Sequence, residues 1–131
     1  MSSRLINFNV LGDERGSLIA LEENHNVPFD VKRVFYIYGT QEGIPRGQHS
    51  HHKTKQLLIA INGGCKVTLD DGNKKETYTL NKPNVGLFQD ALVWGTMHDF
   101  SNDCVLMVLA DTYYDSNDYI RDYSLFLKTV E

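Results

Sequence analysis

Apolar residues recur at every second position along most of this chain, and a period of two confines it to short, half-buried strands. Residues 5–10 read as a first strand, Gly12-Asp13 as a turn and residues 17–21 as a second strand. Val31-Lys32-Arg33-Val34-Phe35-Tyr36-Ile37-Tyr38 is so rich in β-branched and aromatic side chains that it is the strongest strand signal of all. After a loop over residues 39–47, strands are predicted at 57–61, 65–69, 75–80, 85–88, 92–94, 98–100 and 104–110. Asn62-Gly63-Gly64 and Asp71-Gly72 turn between them, the second as a two-residue hairpin. Only the end changes period. Tyr119, Ile120, Tyr123, Leu125, Phe126 and Val130 fit one face of an amphipathic helix over residues 117–130, capped by Ser116 or Asn117.

Eight to eleven short strands punctuated in this way predict an all-β fold, a small jelly-roll barrel with a short C-terminal helix. At 131 residues the chain reads as one domain, residues 1–131, with no room for a second core. A formal net charge of -4 argues against nonspecific binding to nucleic acid. The longest apolar run, residues 105–110, is far short of the ~20 residues that span a bilayer, so no membrane partner is expected. The first ten residues lack an apolar core of signal-peptide length. The expected location is therefore the cytoplasm, with Cys65 and Cys104 as reduced thiols among alternating apolar residues.

Three of the five histidines fall within Gly47-Gln48-His49-Ser50-His51-His52. On an extended backbone His49 and His51 face one side and His52 the other. Two neutral imidazoles so placed can take adjacent positions on a divalent metal. With an unperturbed pKa of ~6.5 they can equally move protons near neutral pH. The segment resembles the first motif of the cupin superfamily, an HxH followed by Glu and Gly, with His49, His51, Gln56 and Gly63 at the corresponding positions. The carboxylate position holds Gln56, a neutral amide that ligates divalent ions poorly, and the second motif's histidine is absent from Asp90-Ala91-Leu92-Val93-Trp94-Gly95. His98 lies three residues further on. With two of four ligands missing, no metal is expected, and the two histidines turn toward proton transfer.

A resemblance covering residues 5 to 126 is carried by several strings in order: Lys32-Arg33-Val34-Phe35-Tyr36-Ile37, Pro45-Arg46-Gly47-Gln48-His49-Ser50-His51, Val85-Gly86-Leu87, Val93-Trp94, Met97-His98-Asp99-Phe100, and Tyr113-Tyr114-Asp115 with Asp118-Tyr119-Ile120-Arg121. Together they are similar to the sugar-nucleotide 3,4-ketoisomerases, metal-independent cupins. That resemblance implies a dTDP-linked ketosugar as substrate, dTDP-4-keto-6-deoxyglucose, whose keto group moves from carbon 4 to carbon 3 through an enediol during synthesis of unusual deoxy or amino sugars of surface polysaccharides. It implies no cofactor. It gives catalysis to His49 and His51, with His51 taking the carbon-bound proton.

The diphosphate then falls to guanidinium forks, for which Arg15, Arg33, Arg46 and Arg121 are the candidates. Gln56 is expected to bond a histidine or a sugar hydroxyl, and the chain to form a homodimer, with its N-terminal strand exchanged. At Gly95 the sequence departs from relatives that carry His or Arg after the Val-Trp pair, so the configuration of the product at carbon 4, galacto or gluco, stays open. Two other readings stand beside this one: a sugar-nucleotide 3,5-epimerase, and a metal-binding cupin module or dioxygenase that uses His49, His51 and His98.

Overall fold

Alternating side chains translate into antiparallel ladders throughout the computed structural model, which describes residues 4–131; the first three residues of the single-domain reading lie outside the described residues. In chain order the strands are β1 (Leu5–Asn7), β2 (Leu11–Asp13), β3 (Gly16–Leu18), β4 (Arg33–Ile37), β5 (Arg46–His51), β6 (Gln56–Asn62), β7 (Cys65–Asp70), β8 (Lys75–Leu80), β9 (Val85–Gln89), β10 (Trp94–His98), β11 (Val105–Ala110) and β12 (Tyr119–Ile120). A 3-10 turn at Ser116–Asp118 precedes β12, and an α-helix, α1 (Tyr123–Val130), closes the chain. The first sheet has the order β1-β9-β6-β11-β4 and the second β12-β5-β10-β7-β8, while β2 and β3 form a separate hairpin.

The sheets face each other across a core that includes Leu58, Val67, Leu69, Leu87, Leu106 and Val108. A second cluster, in which Phe8, Val27 and Phe29 pack on Leu57, Ile59 and Leu109, covers the outer face of the first sheet. β6 is thus buried on both faces, which is why Leu57-Leu58-Ile59-Ala60 is a continuous apolar run rather than an alternation. On the outer face of the second sheet α1 packs Phe126 and Tyr123 against Trp94, with ring centroids 5.6 and 5.2 Å apart.

The all-β barrel with its terminal helix is as expected, and the structure shifts several boundaries. Residues 92–94 and 98–100 do not make two strands. Leu92 and Asp99 both adopt left-handed backbone, at φ 59° and 53°, and they bracket the single strand β10. Residues 117–130 do not make one helix either. Asp118 is drawn to the backbone of Lys53 and Thr54, and Tyr119–Ile120 pairs with the free edge of β5, so tertiary hydrogen bonds outcompete local helical ones. The cap is Asp122, not Ser116 or Asn117, and its carboxylate accepts from Leu125 N at 3.1 Å. In the N-terminal hairpin Gly12 and Asp13 belong to β2, and the turn falls one step later, where Asp13 binds the Arg15 backbone N–H at 2.9 Å. Cys65 and Cys104 are buried free thiols, and burial pushes the Cys65 thiol up to about 12.

Candidate active site

β5 is an edge-proximal strand with a defect that aims its side chains. Gly95 opposes His49 and Thr96 opposes Gly47, which leaves Gln48 as an extra, unpaired residue. Gly47 and Gln48 both hold positive φ, 84° and 58°, so the bulge needs glycine at the first position and tolerates strain at the second. On a regular strand Arg46, three residues before His49, would face the opposite side. The bulge turns it back, so Arg46 pairs with inward Met97 and shares the inner face with His49 and His51. A β-carbon on Gly47 would stand 3.0 Å from the Gly95 carbonyl oxygen.

Inside the barrel the two imidazoles meet edge-on, with centroids 4.9 Å apart and planes at 86°. Tyr119 sits opposite His51 across the β5–β12 ladder, 4.5 Å from the His51 ring and 4.9 Å from that of His49. The His49 Nδ1–H donates to the Gly47 carbonyl at 3.1 Å, so in the neutral ring the lone pair is on Nε2. His51 is 2% exposed, and its Nε2, like Nε of Arg33, is buried with no hydrogen-bond partner among the described residues. Unsatisfied buried polar atoms cost about 1–3 kcal/mol each, which marks the surroundings of these two groups as a place for a polar ligand.

The cavity measures about 270 Å³; Arg46, His49, Gln56 and Tyr119 give it polar walls, and Phe35, Leu58 and Val108 belong to its apolar lining. The Arg121 guanidinium lies 4.3 Å from the Tyr119 ring centroid, and that of Arg33 lies over Phe35 and Tyr114 at 5.3 and 5.8 Å. Burial, then the neighbouring His49, pushes the His51 imidazole down to about 4; Asp118 pulls the other way, and Arg33 and Arg121 add to the depression. His49 is lowered too, first by burial and further by Arg121, against its bond to Gly47. Both rings are therefore neutral proton acceptors near pH 7.

Of the residues singled out from sequence, Arg46, His49 and Gln56 line this cavity and His51 meets His49 ring to edge, while Arg33 and Arg121 act on His51 through their charge and Arg121 lines a separate pocket with Trp94 and Tyr123. Arg15 is not brought to the cavity. It tips the β2–β3 hairpin with its side chain 86% exposed and forks onto Asp13 at 2.6 and 3.0 Å. His98 points out of the barrel, where Thr68 Oγ1 lies 2.8 Å from its Nε2 and Asp99 2.7 Å from its Nδ1, so it cannot join His49 and His51 on a metal. Among the described residues no three His, Cys, Asp or Glu side chains are placed to hold a metal ion. At Gly95 an added β-carbon would come within 2.6 Å of Gln89 Nε2, which bonds the Val93 carbonyl. Sequence reasoning missed Tyr119 and Asp118, because their strand pairing was hidden under a helical period.

The paired sheets, with two imidazoles facing the interior between them, define a cupin-type jelly roll. The family described as "WxcM-like, C-terminal" matches residues 1–131. A "TDP-4-oxo-6-deoxy-alpha-D-glucose-3,4-oxoisomerase" from Aneurinibacillus thermoaerophilus is 53% identical over 130 residues, 99% of this chain and 94% of that protein. Among solved structures, a 3,4-ketoisomerase from Helicobacter canadensis superposes with a TM-score of 0.96 at 45% identity, covering 99% of this chain and 98% of the other. A His-to-Asn mutant of the 3,4-ketoisomerase QdtA from Thermoanaerobacterium thermosaccharolyticum, in complex with TDP-4-keto-6-deoxyglucose, matches with a TM-score of 0.94 at 43% identity over 96% of this chain and 91% of that one. This chain belongs to the sugar-nucleotide 3,4-ketoisomerase family, enzymes of the intramolecular oxidoreductase class.

Proposed function

We propose that this enzyme acts on TDP-4-keto-6-deoxyglucose and that His49 and His51 carry its proton transfers. The observation that supports this most is the neutral His49–His51 pair, His49 lining a barrel cavity together with Arg46, and Arg33 and Arg121 near enough for their charge to act on His51. The carbonyl at carbon 4 acidifies the carbon-3 hydrogen. His51 accepts that proton while the carbon-4 oxygen gains one, which gives the 3,4-enediol. A proton then returns to carbon 4 as the carbon-3 hydroxyl loses its own, with His49 Nε2 as the relay between the two oxygens. Atoms and electrons balance within the sugar, so the scheme asks for no external oxidant. Arg33, Arg46 and Arg121 are proposed to hold the diphosphate, Arg46 through the bulge that turns it inward. Gln56, neutral and at the cavity wall, is suited to a sugar hydroxyl.

The test is product NMR after incubation of TDP-4-keto-6-deoxyglucose with enzyme and EDTA in heavy water. A 3-keto sugar with deuterium at carbon 4 is expected; no conversion overturns the substrate assignment, and full activity of His51→Asn overturns the base assignment.

A homodimer belongs to the same proposal. β4 ends the first sheet with Val34 and Tyr36 at 53% and 64% exposure, Tyr38 just beyond it is 70% exposed, and the hairpin carries Leu11 and Leu18, both at 57%. Exchange of the N-terminal strands would cover apolar faces of both kinds and offer Arg15 to the other subunit's substrate. A monomeric mass in solution would overturn it. A cytoplasmic location is likewise proposed; the two free thiols suit a reducing compartment, and no helix of the described residues is long and apolar enough to cross a membrane.

A further inference from the structure

We propose that Asp118 is a positioning residue for His51, fastening the strand end that carries the imidazole and holding a negative charge close to it. The inference rests on the reading of His51 as the base.

Asp118 is 5% exposed, and its carboxylate accepts from the backbone N–H of Lys53 at 3.0 Å, from that of Thr54 at 3.3 Å, and from the Thr54 hydroxyl. Its own carbonyl accepts from His52 N at 2.8 Å. Four hydrogen bonds thus tie the three residues that follow His51 to the residue that precedes Tyr119. The two ring partners of the cavity, His51 and Tyr119, are held in register by one side chain and its backbone. Both carboxylate oxygens accept, Oδ1 from Lys53 and Oδ2 from Thr54, so an amide would turn its NH2 onto one set of donors and open half of the clamp.

The charge has a use in this setting. The titratable and charged groups that face His51 are His49 on the same strand, Tyr119 on β12, Arg33 on β4, Arg121 just beyond β12, and Asp118. Two of these are permanent cations and one is a second imidazole; among the described groups acting on His51, Asp118 alone favours the protonated ring. A base surrounded by guanidinium groups becomes too weak to draw a proton from carbon, since general-base efficiency rises with basicity toward the working pH. All the carboxylate's hydrogen bonds go to Lys53 and Thr54 rather than to the ring, so it acts through its field and through the strand.

The experiment is kcat and KM against pH for Asp118→Asn, which keeps the shape and one acceptor oxygen, beside Thr54→Val, which keeps the charge and loses one bond of the clamp. Asp118→Asn is expected to move the acid limb of kcat/KM to lower pH and to lower the plateau kcat about tenfold with KM little changed. Thr54→Val should leave the limb where it is in the wild type. A wild-type profile in Asp118→Asn overturns the proposal, as do equal losses in both variants with the limb fixed, which would make Asp118 a clamp only. If Asp118→Asn does not fold, Asp118→Glu decides: charge on a longer arm should hold the limb and lower kcat, and wild-type kcat there overturns the proposal. Full activity of His51→Asn would instead overturn the base assignment on which the inference rests.

Discussion

His51 and His98 lie in the same five-stranded sheet, two strands of one ladder, and have opposite environments. His98 projects outward, and both ring nitrogens are engaged, one by a threonine hydroxyl and one by a carboxylate. His51 projects inward, and its Nε2 has no hydrogen-bond partner among the described residues. The first ring is satisfied and structural. The second is desolvated, uncharged and free to accept a proton. Residue type therefore says little about which histidine is available for chemistry; strand parity and the partners supplied by neighbouring strands decide it.

The sharpest way to break this contrast is to remove each ring in turn. His51→Asn should cost on the order of 10²–10⁴ in kcat, the usual share of a well-placed general base. His98→Asn should leave kcat within about twofold of wild type, since it touches no part of the cavity. Steady-state kinetics on both variants checks this, and a large loss in His98→Asn would erase the distinction.

Gly47→Val tests the bulge that separates the two faces of β5. Its positive φ disfavours any β-branched residue, and the new side chain would press on the Gly95 carbonyl. Relaxation toward a regular strand would swing Arg46 outward and shift His49. A misplacement of this kind is expected to lower kcat/KM by about 10²-fold, with folding monitored by circular dichroism.

Acid should expose the same contrast as stability. His51 titrates at about 4 in the folded chain against an ordinary 6.5, so between those values the unfolded state binds more protons than the folded one. Stability is then unaffected by this group above pH 6.5, falls as the pH drops through the window, and is lower by on the order of 3 kcal/mol below about pH 4. Thermal melts of wild type and His51→Asn over this range should diverge, the variant having the flatter profile.

How much of this was legible beforehand follows from where the information lies. The barrel was readable because burial on one or two faces writes itself into alternation or into an apolar run, as in β7 and β6. The His49–His51 face was readable for the same reason. The inward turn of Arg46 was not, because one bulged residue inverts the parity of everything before it, and Gly47 alone does not announce which neighbour is extruded. Nor was the place of Tyr119, since its helical spacing with Tyr123 and Phe126 is real in sequence and is overruled by hydrogen bonds to β5 and to residues more than sixty positions away.

The smallest effect is the one that defines the structural histidine. His98 is joined to Thr68 and to Asp99, and the Asp99 side chain is 66% exposed while that of His98 is 28% exposed. A pair so open to solvent contributes little through charge, because screening and side-chain entropy consume most of the Coulomb gain. The hydroxyl bond to Thr68, which ties β10 to β7, is the larger part and is worth about 0.5–1.5 kcal/mol. His98→Asn should therefore lower the urea midpoint slightly with an unchanged slope and leave the proton chemistry intact. Equal destabilisation by Asp99→Asn would move the weight to the ion pair, and with it the reason this ring is held outside the barrel.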